Sequence, residues 1–116
     1  MNPRFYAAIS GALAVTLGAF GAHGLKDRVS AEHLEVWKTA SQYHFIHTLA
    51  VLLNSEVNKK PMLLSNKLFF AGTLVFSGSL YALVLSQEKK LGAVTPIGGL
   101  MLIGGWLAMA VECSSA

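Results

Sequence analysis

Two histidines three residues apart, His44 and His47, stand in a largely apolar stretch, with Tyr43 just before them. An imidazole can exchange a proton near neutral pH, bind a transition metal, or make hydrogen bonds through both nitrogens. On a helix, residues at this spacing lie on neighbouring sides, so both rings would address the same surroundings. Hydroxyl groups recur in the other apolar stretches at Thr16, Ser77, Ser79, Tyr81 and Thr95, and His23 ends the first of them. These residues form a candidate polar pocket. Ionisable groups within an apolar span are costly unless they face a protein interior or a water-filled cavity. Two readings therefore compete: hydrogen-bonded core histidines that hold helices together, and a pocket that handles a solute, a proton or a lipid.

Other chemistries lack parts. His23, His44 and His47 supply imidazole nitrogens, but no carboxylate or thiolate stands at matching depth, and Cys113 is the only cysteine. A metal site is therefore not expected, and neither is a cofactor. Glu32, His33, Glu35 and Lys38 cluster in sequence, yet their spacing is that of an ordinary solvated helix turn. There is no nucleophile elbow, phosphate loop or pair of intramembrane carboxylates, so no catalytic residue is assigned and nothing supports an enzyme.

The elements that must position the pocket are long apolar runs. Apolar residues make up 53% of the 116-residue chain and charged residues only 13%, about half the charge of an average soluble domain. A small soluble domain has too much surface to spare so much polarity. The net charge of +3 sits in short segments between the runs, which fits membrane-flanking charge rather than a nucleic-acid footprint. The expected fold is all-α and integral to the membrane: a four-transmembrane-helix bundle, up-down and antiparallel, with both termini on one side. The spans fall at about 5–23, 39–57, 68–85 and 91–111 in one domain. The first is longer than the apolar core of a signal peptide.

Boundary signals refine this. Gly24 marks the end of the first helix. Ser30 is a good cap for a second helix that runs unbroken to about Val57, with Trp37 at its polar-to-apolar join. Asn58-Lys59-Lys60-Pro61 is read as a turn, and Ser65 or Asn66 as a cap of the third helix. The fourth helix begins at Pro96 behind Thr95, or near Leu91 with a proline kink. Counted from Pro96 to Val111 it would be about 24 Å long, short of a ~30 Å hydrocarbon core. Basic residues divide almost evenly between the two sides, so the positive-inside rule gives no orientation.

Small residues form ridges: Ser10, Ala14, Gly18 and Ala22 in the first span, Gly78 and Ala82 in the third, Gly104 and Ala108 in the fourth. Such ridges let helix backbones approach closely, within one bundle or between subunits. Gly18-Ala19-Phe20-Gly21-Ala22-His23, Ile46-His47-Thr48-Leu49-Ala50, Phe76-Ser77-Gly78-Ser79-Leu80-Tyr81 and Thr95-Pro96-Ile97-Gly98-Gly99 stand in this order along the chain. With these motifs the sequence resembles the domain of unknown function 423 family, small membrane proteins related to eukaryotic transmembrane protein 256. The resemblance implies a four-span protein and carries no activity with it.

The function expected from these features is a packing or assembly module in the bacterial plasma membrane. It would form a homo-oligomer or bind other membrane proteins through its ridges, with the lipid bilayer as its other partner and no nucleic acid. The alternative is a small-solute, proton or lipid pathway through the polar pocket.

Overall fold

A computed structural model describes residues 2–58 and 63–114. Asn2 accepts a hydrogen bond from the Arg4 amide (3.0 Å) and Pro3 takes the first helical position, opening helix α1 (Pro3–His23). This places a side-chain acceptor where the first amides lack partners, and a proline where no N–H is needed. The Ser30 hydroxyl accepts from the His33 amide (3.1 Å) and caps α2 (Ala31–Asn58), which runs without a break. Helix α3 (Leu64–Ser86) ends at Gln87, whose backbone turns left-handed at φ 61°. A 3-10 turn (Lys89–Ala93) then leads into α4 (Thr95–Ser114).

Several expectations need correction. The fourth helix begins at Thr95-Pro96, the first of the two expected starts, but continues past Val111 to Ser114. Its 20 residues give about 30 Å, enough to match a ~30 Å core. Ser65 and Asn66 lie inside α3 rather than capping it, since Leu63 occupies the cap position. Trp37, at the polar-to-apolar join of α2, is 2% exposed and so packs inside the protein rather than facing outward. Its indole N–H donates to the Leu17 carbonyl (2.7 Å), and its ring lies where a side chain on Gly21 would have to go. Gly24 closes α1 in the right-handed region rather than the left-handed one. Of the expected turn Asn58-Lys59-Lys60-Pro61, only Asn58 falls among the described residues.

Helix α1 packs on α2, α2 on α3 and α3 on α4, while α2 barely touches α4. Among the described residues, α1 forms no packed interface with α3 or α4. The helices thus make an open row rather than a closed ring of four. The α3–α4 seam is the tightest. Gly98 lies against the Phe76 backbone, Gly105 takes the Phe69 ring and Gly72 takes Leu102. One apolar core gathers Ala7, Val51, Phe69 and Leu102; a second gathers Leu25, Trp37 and Val84.

The outer surface is apolar. Leu74, Leu100 and Val111 are 75%, 69% and 67% exposed, and many large apolar side chains accompany them. A soluble monomer rarely shows continuous apolar surface on this scale. Three helices, Pro3–His23, Leu64–Ser86 and Lys89–Ser114, are long and apolar enough to cross a membrane. Helix α2 falls outside that group because it carries the buried polar residues His44, His47, Asn54 and Ser55.

Candidate functional site

The gap between α1 and α3 is a groove of about 410 Å³ whose floor is α2. Ile9 and Leu13 line one wall, Phe70 and Leu74 the other, and His44 and His47 lie along the floor. It is open along one side, towards the apolar outer surface. A side chain on Gly78, which lines it, would meet no atom within 4 Å of its Cβ.

His44, only 5% exposed, joins three helices. Its Nε2 lies 3.0 Å from the Ser10 hydroxyl of α1, and its Nδ1 lies 3.0 Å from the Tyr81 hydroxyl of α3. The proton positions follow from the neighbours. Thr48 gives its single hydroxyl proton to the His44 carbonyl (2.9 Å), so in its 2.8 Å contact with Ser10 it must accept. Ser10 has then spent its own proton on Thr48, and His44 Nε2–H must donate to Ser10. The bare Nδ1 can only accept, so it shares the Tyr81 proton with Ser41, to which Tyr81 also donates (3.4 Å). A directed chain therefore runs from Tyr81 through His44 and Ser10 to Thr48.

His47 holds the opposite tautomer. Its Nδ1–H donates to the Tyr43 carbonyl (2.7 Å), and its Nε2 accepts from the Trp106 indole N–H of α4 (3.1 Å). Tyr43 also stacks its half-exposed ring on His47, with centroids 5.9 Å apart. Ser77 donates to the Ala40 carbonyl (2.8 Å) and pins α3 to α2. Each polar group on the floor is thus satisfied within the chain, as burial in an apolar setting demands.

The remaining candidates lie elsewhere. Ser79 and Thr95 pair with one another at 2.6 Å between α3 and α4. Thr16 is exposed and bonds its own helix at Ala12 (2.8 Å). His23 is exposed at the end of α1. Both miss the groove because their positions on α1 face away from α2. In the first ridge, Ser10 bonds α2, Ala14 is 4% exposed and Gly18 faces Ser41 of α2, so these three are used within the chain; Ala22 is exposed. Gly78 and Ala82 are half-buried on α3, and Gly104 and Ala108 on α4, where the buried glycines are Gly98 and Gly105.

Polarity is not confined to the groove. At the end shared by the N-terminus of α1 and the C-terminus of α4 lies a second network, built around Asn54, which has no exposed surface. Its amide N–H groups donate to Ser65 (2.6 Å) and to Asn66 Oδ1 (2.9 Å), and its Oδ1 accepts from Asn58. Asn66 donates to Ser55 (3.3 Å), and Ser65 donates to the Glu112 carboxylate of α4 through both hydroxyl and amide. Sequence reasoning missed Ser65, Asn66 and Glu112 as members. The usable signal was position: Asn54 lies one turn before the end of α2 and Asn66 in the first turn of α3, so an antiparallel pair brings them together. Outside the network, Arg4 and Glu56 form an exposed ion pair at 2.7 Å.

The chain is similar to known proteins over most of its length. The model of a family described as "Protein of unknown function (DUF423)" matches residues 17–99. A UPF0382 membrane protein of Staphylococcus aureus (strain bovine RF122 / ET3-1) is 44% identical over 107 residues, covering 90% of this chain and 88% of that protein. The UPF0382 membrane protein YwdK of Bacillus subtilis is 42% identical over 109 residues, covering 90% and 89%. No solved structure matches the chain.

Proposed function

The chain belongs to the DUF423 family, as a multi-pass bacterial membrane protein, and from that premise we propose that it crosses the bilayer four times and holds one lipid acyl chain in the groove between α1 and α3. Helix α2 is the fourth span in this reading. It is longer than either of the two apolar helices it lies between, and His44 and Asn54 turn their polar groups towards them. Both termini then share one side.

The observation that carries the proposal is the groove's shape. From Tyr6 to Leu17 on α1, and from Phe69 to Tyr81 on α3, it extends about 16–18 Å at 1.5 Å per residue. That is close to half of a ~30 Å hydrocarbon core, or one leaflet's depth. Spreading 410 Å³ over this length leaves a cross-section of roughly 24 Å², whereas a helix 10–12 Å across needs about 80 Å² or more. The space suits a single extended chain. Conduction of protons or polar solutes is less well supported, since both nitrogens of each histidine are already engaged within the chain.

The test is photolabelling in bilayers with a phosphatidylcholine that carries a diazirine on its acyl chain. Label should concentrate on Leu13 and Leu74 relative to Leu100, which faces away from the groove, and Gly78→Phe should abolish that enrichment. Equal labelling of all three leucines in the wild-type protein would refute the reading.

A further inference from the structure

The groove has two different ends. At one, Leu17 and Tyr81 pack against the buried cluster of Leu25, Trp37 and Val84. The Trp37 ring lies 4.7 Å from that of Tyr81 and 5.8 Å from that of Phe20. This end is plugged by aromatic and apolar side chains. The other end opens beside Tyr6, which is 48% exposed, and Phe70.

A phospholipid whose chain lies in the groove must therefore place its methyl end at the plug and its headgroup at the Tyr6–Phe70 end. Lys67 is exposed on α3 three residues before Phe70 and seven before Leu74. Residues at these spacings share a helix face, so Lys67 continues the groove wall by one turn beyond its mouth. Among the described residues Lys67 makes no ion pair, whereas Arg4, the other described cation at this end, is bonded to Glu56. The acidic groups at this end are Glu56 and Glu112, and Glu112 accepts two hydrogen bonds from Ser65. Among the described residues, Lys67 is therefore the cation at this end that no carboxylate engages.

Resting on the acyl-chain reading above, we infer that the groove selects an anionic phospholipid, with the phosphate-bearing headgroup at Lys67. A lysine near an anionic lipid surface favours it by roughly fivefold. A zwitterionic headgroup carries its own cation and gains less.

Native mass spectrometry of the full chain tests this, after incubation with equimolar phosphatidylglycerol and phosphatidylcholine of identical acyl chains. The wild-type protein should retain one lipid, with phosphatidylglycerol preferred about fivefold. Lys67→Gln should retain as much lipid while that preference falls towards parity. Gly78→Phe should lose both lipids. Leu13→Trp, on the opposite and half-exposed wall, repeats the blockage should Gly78→Phe fail to fold. Equal retention of the two lipids by the wild-type protein overturns the headgroup assignment. An undiminished preference in Lys67→Gln, with Gly78→Phe still empty, overturns it while leaving the acyl-chain reading intact. Full retention in the folded blocked variants overturns the acyl-chain reading itself.

Discussion

Replacing Asn54 by leucine removes the centre of the second polar network while nearly conserving volume. Three hydrogen bonds are lost, to Ser65, to Asn66 and from Asn58. Side-chain hydrogen bonds between membrane helices average about 0.6 kcal/mol each, so their loss amounts to roughly 2 kcal/mol. Asn66, itself fully buried, also loses the donor to its Oδ1. An unsatisfied buried acceptor costs a further 1–3 kcal/mol or so. Asn54→Leu should therefore destabilise the protein by about 3–5 kcal/mol. His44→Leu offers an internal comparison. Its loss leaves Ser10 bonded to Thr48 and Tyr81 within 3.4 Å of Ser41, so about 1–2 kcal/mol is expected. Steric trapping in bicelles measures both variants on one scale. The reasoning fails if Asn54→Leu proves no more destabilising than His44→Leu.

Other outcomes follow from single contacts. Gly98→Ala drives a methyl group into the Phe76 backbone and should cost about 1–3 kcal/mol in the same assay; a neutral result would mean the α3–α4 seam is looser than described. Nitrogen-15 NMR should find His44 protonated at Nε2 and His47 at Nδ1, and Trp106→Phe should shift the Nε2 resonance of His47 alone. Finding the same tautomer on both rings would break the hydrogen-bond chain argued above. Cysteines placed at Asn2 and Ser114 should be labelled by a membrane-impermeant reagent from one side only, and labelling from opposite sides would rule out four crossings.

Much of the architecture was legible in the sequence because helices in lipid satisfy their own backbone groups, leaving length, apolarity and capping to decide the boundaries. Ser30 marked the start of α2 and Thr95-Pro96 the start of α4 for that reason. The site was legible only in residue type. His44 and His47 were visible as costly groups needing partners, but the identity of those partners depends on how each helix is rotated. Thr16 and Ser10 show the difficulty. Both are hydroxyl residues on α1, yet only Ser10 faces α2. Trp106, the partner of His47, stands 59 residues further along, and nothing in the sequence pairs the two. The openness of the row was not legible either, since the spacing of small residues says that backbones approach but not which neighbour approaches.

Helix α2 is both the central element of the row and the least apolar one, and this bears on how the protein is made. A segment enters the bilayer from the translocon according to its own apolarity, and centrally placed polar residues weigh heavily against it. On the four-span reading, α2 is the segment least able to leave the translocon alone. Its polar groups are answered by Ser10 on the helix synthesised before it and by Ser65, Asn66 and Tyr81 on the helix synthesised after it. Release of α2 would then wait for α3, and the two would enter the lipid together beside α1, which is already in place. Shortening the nascent chain before α3 emerges should leave α2 exposed to water while α1 is already inserted.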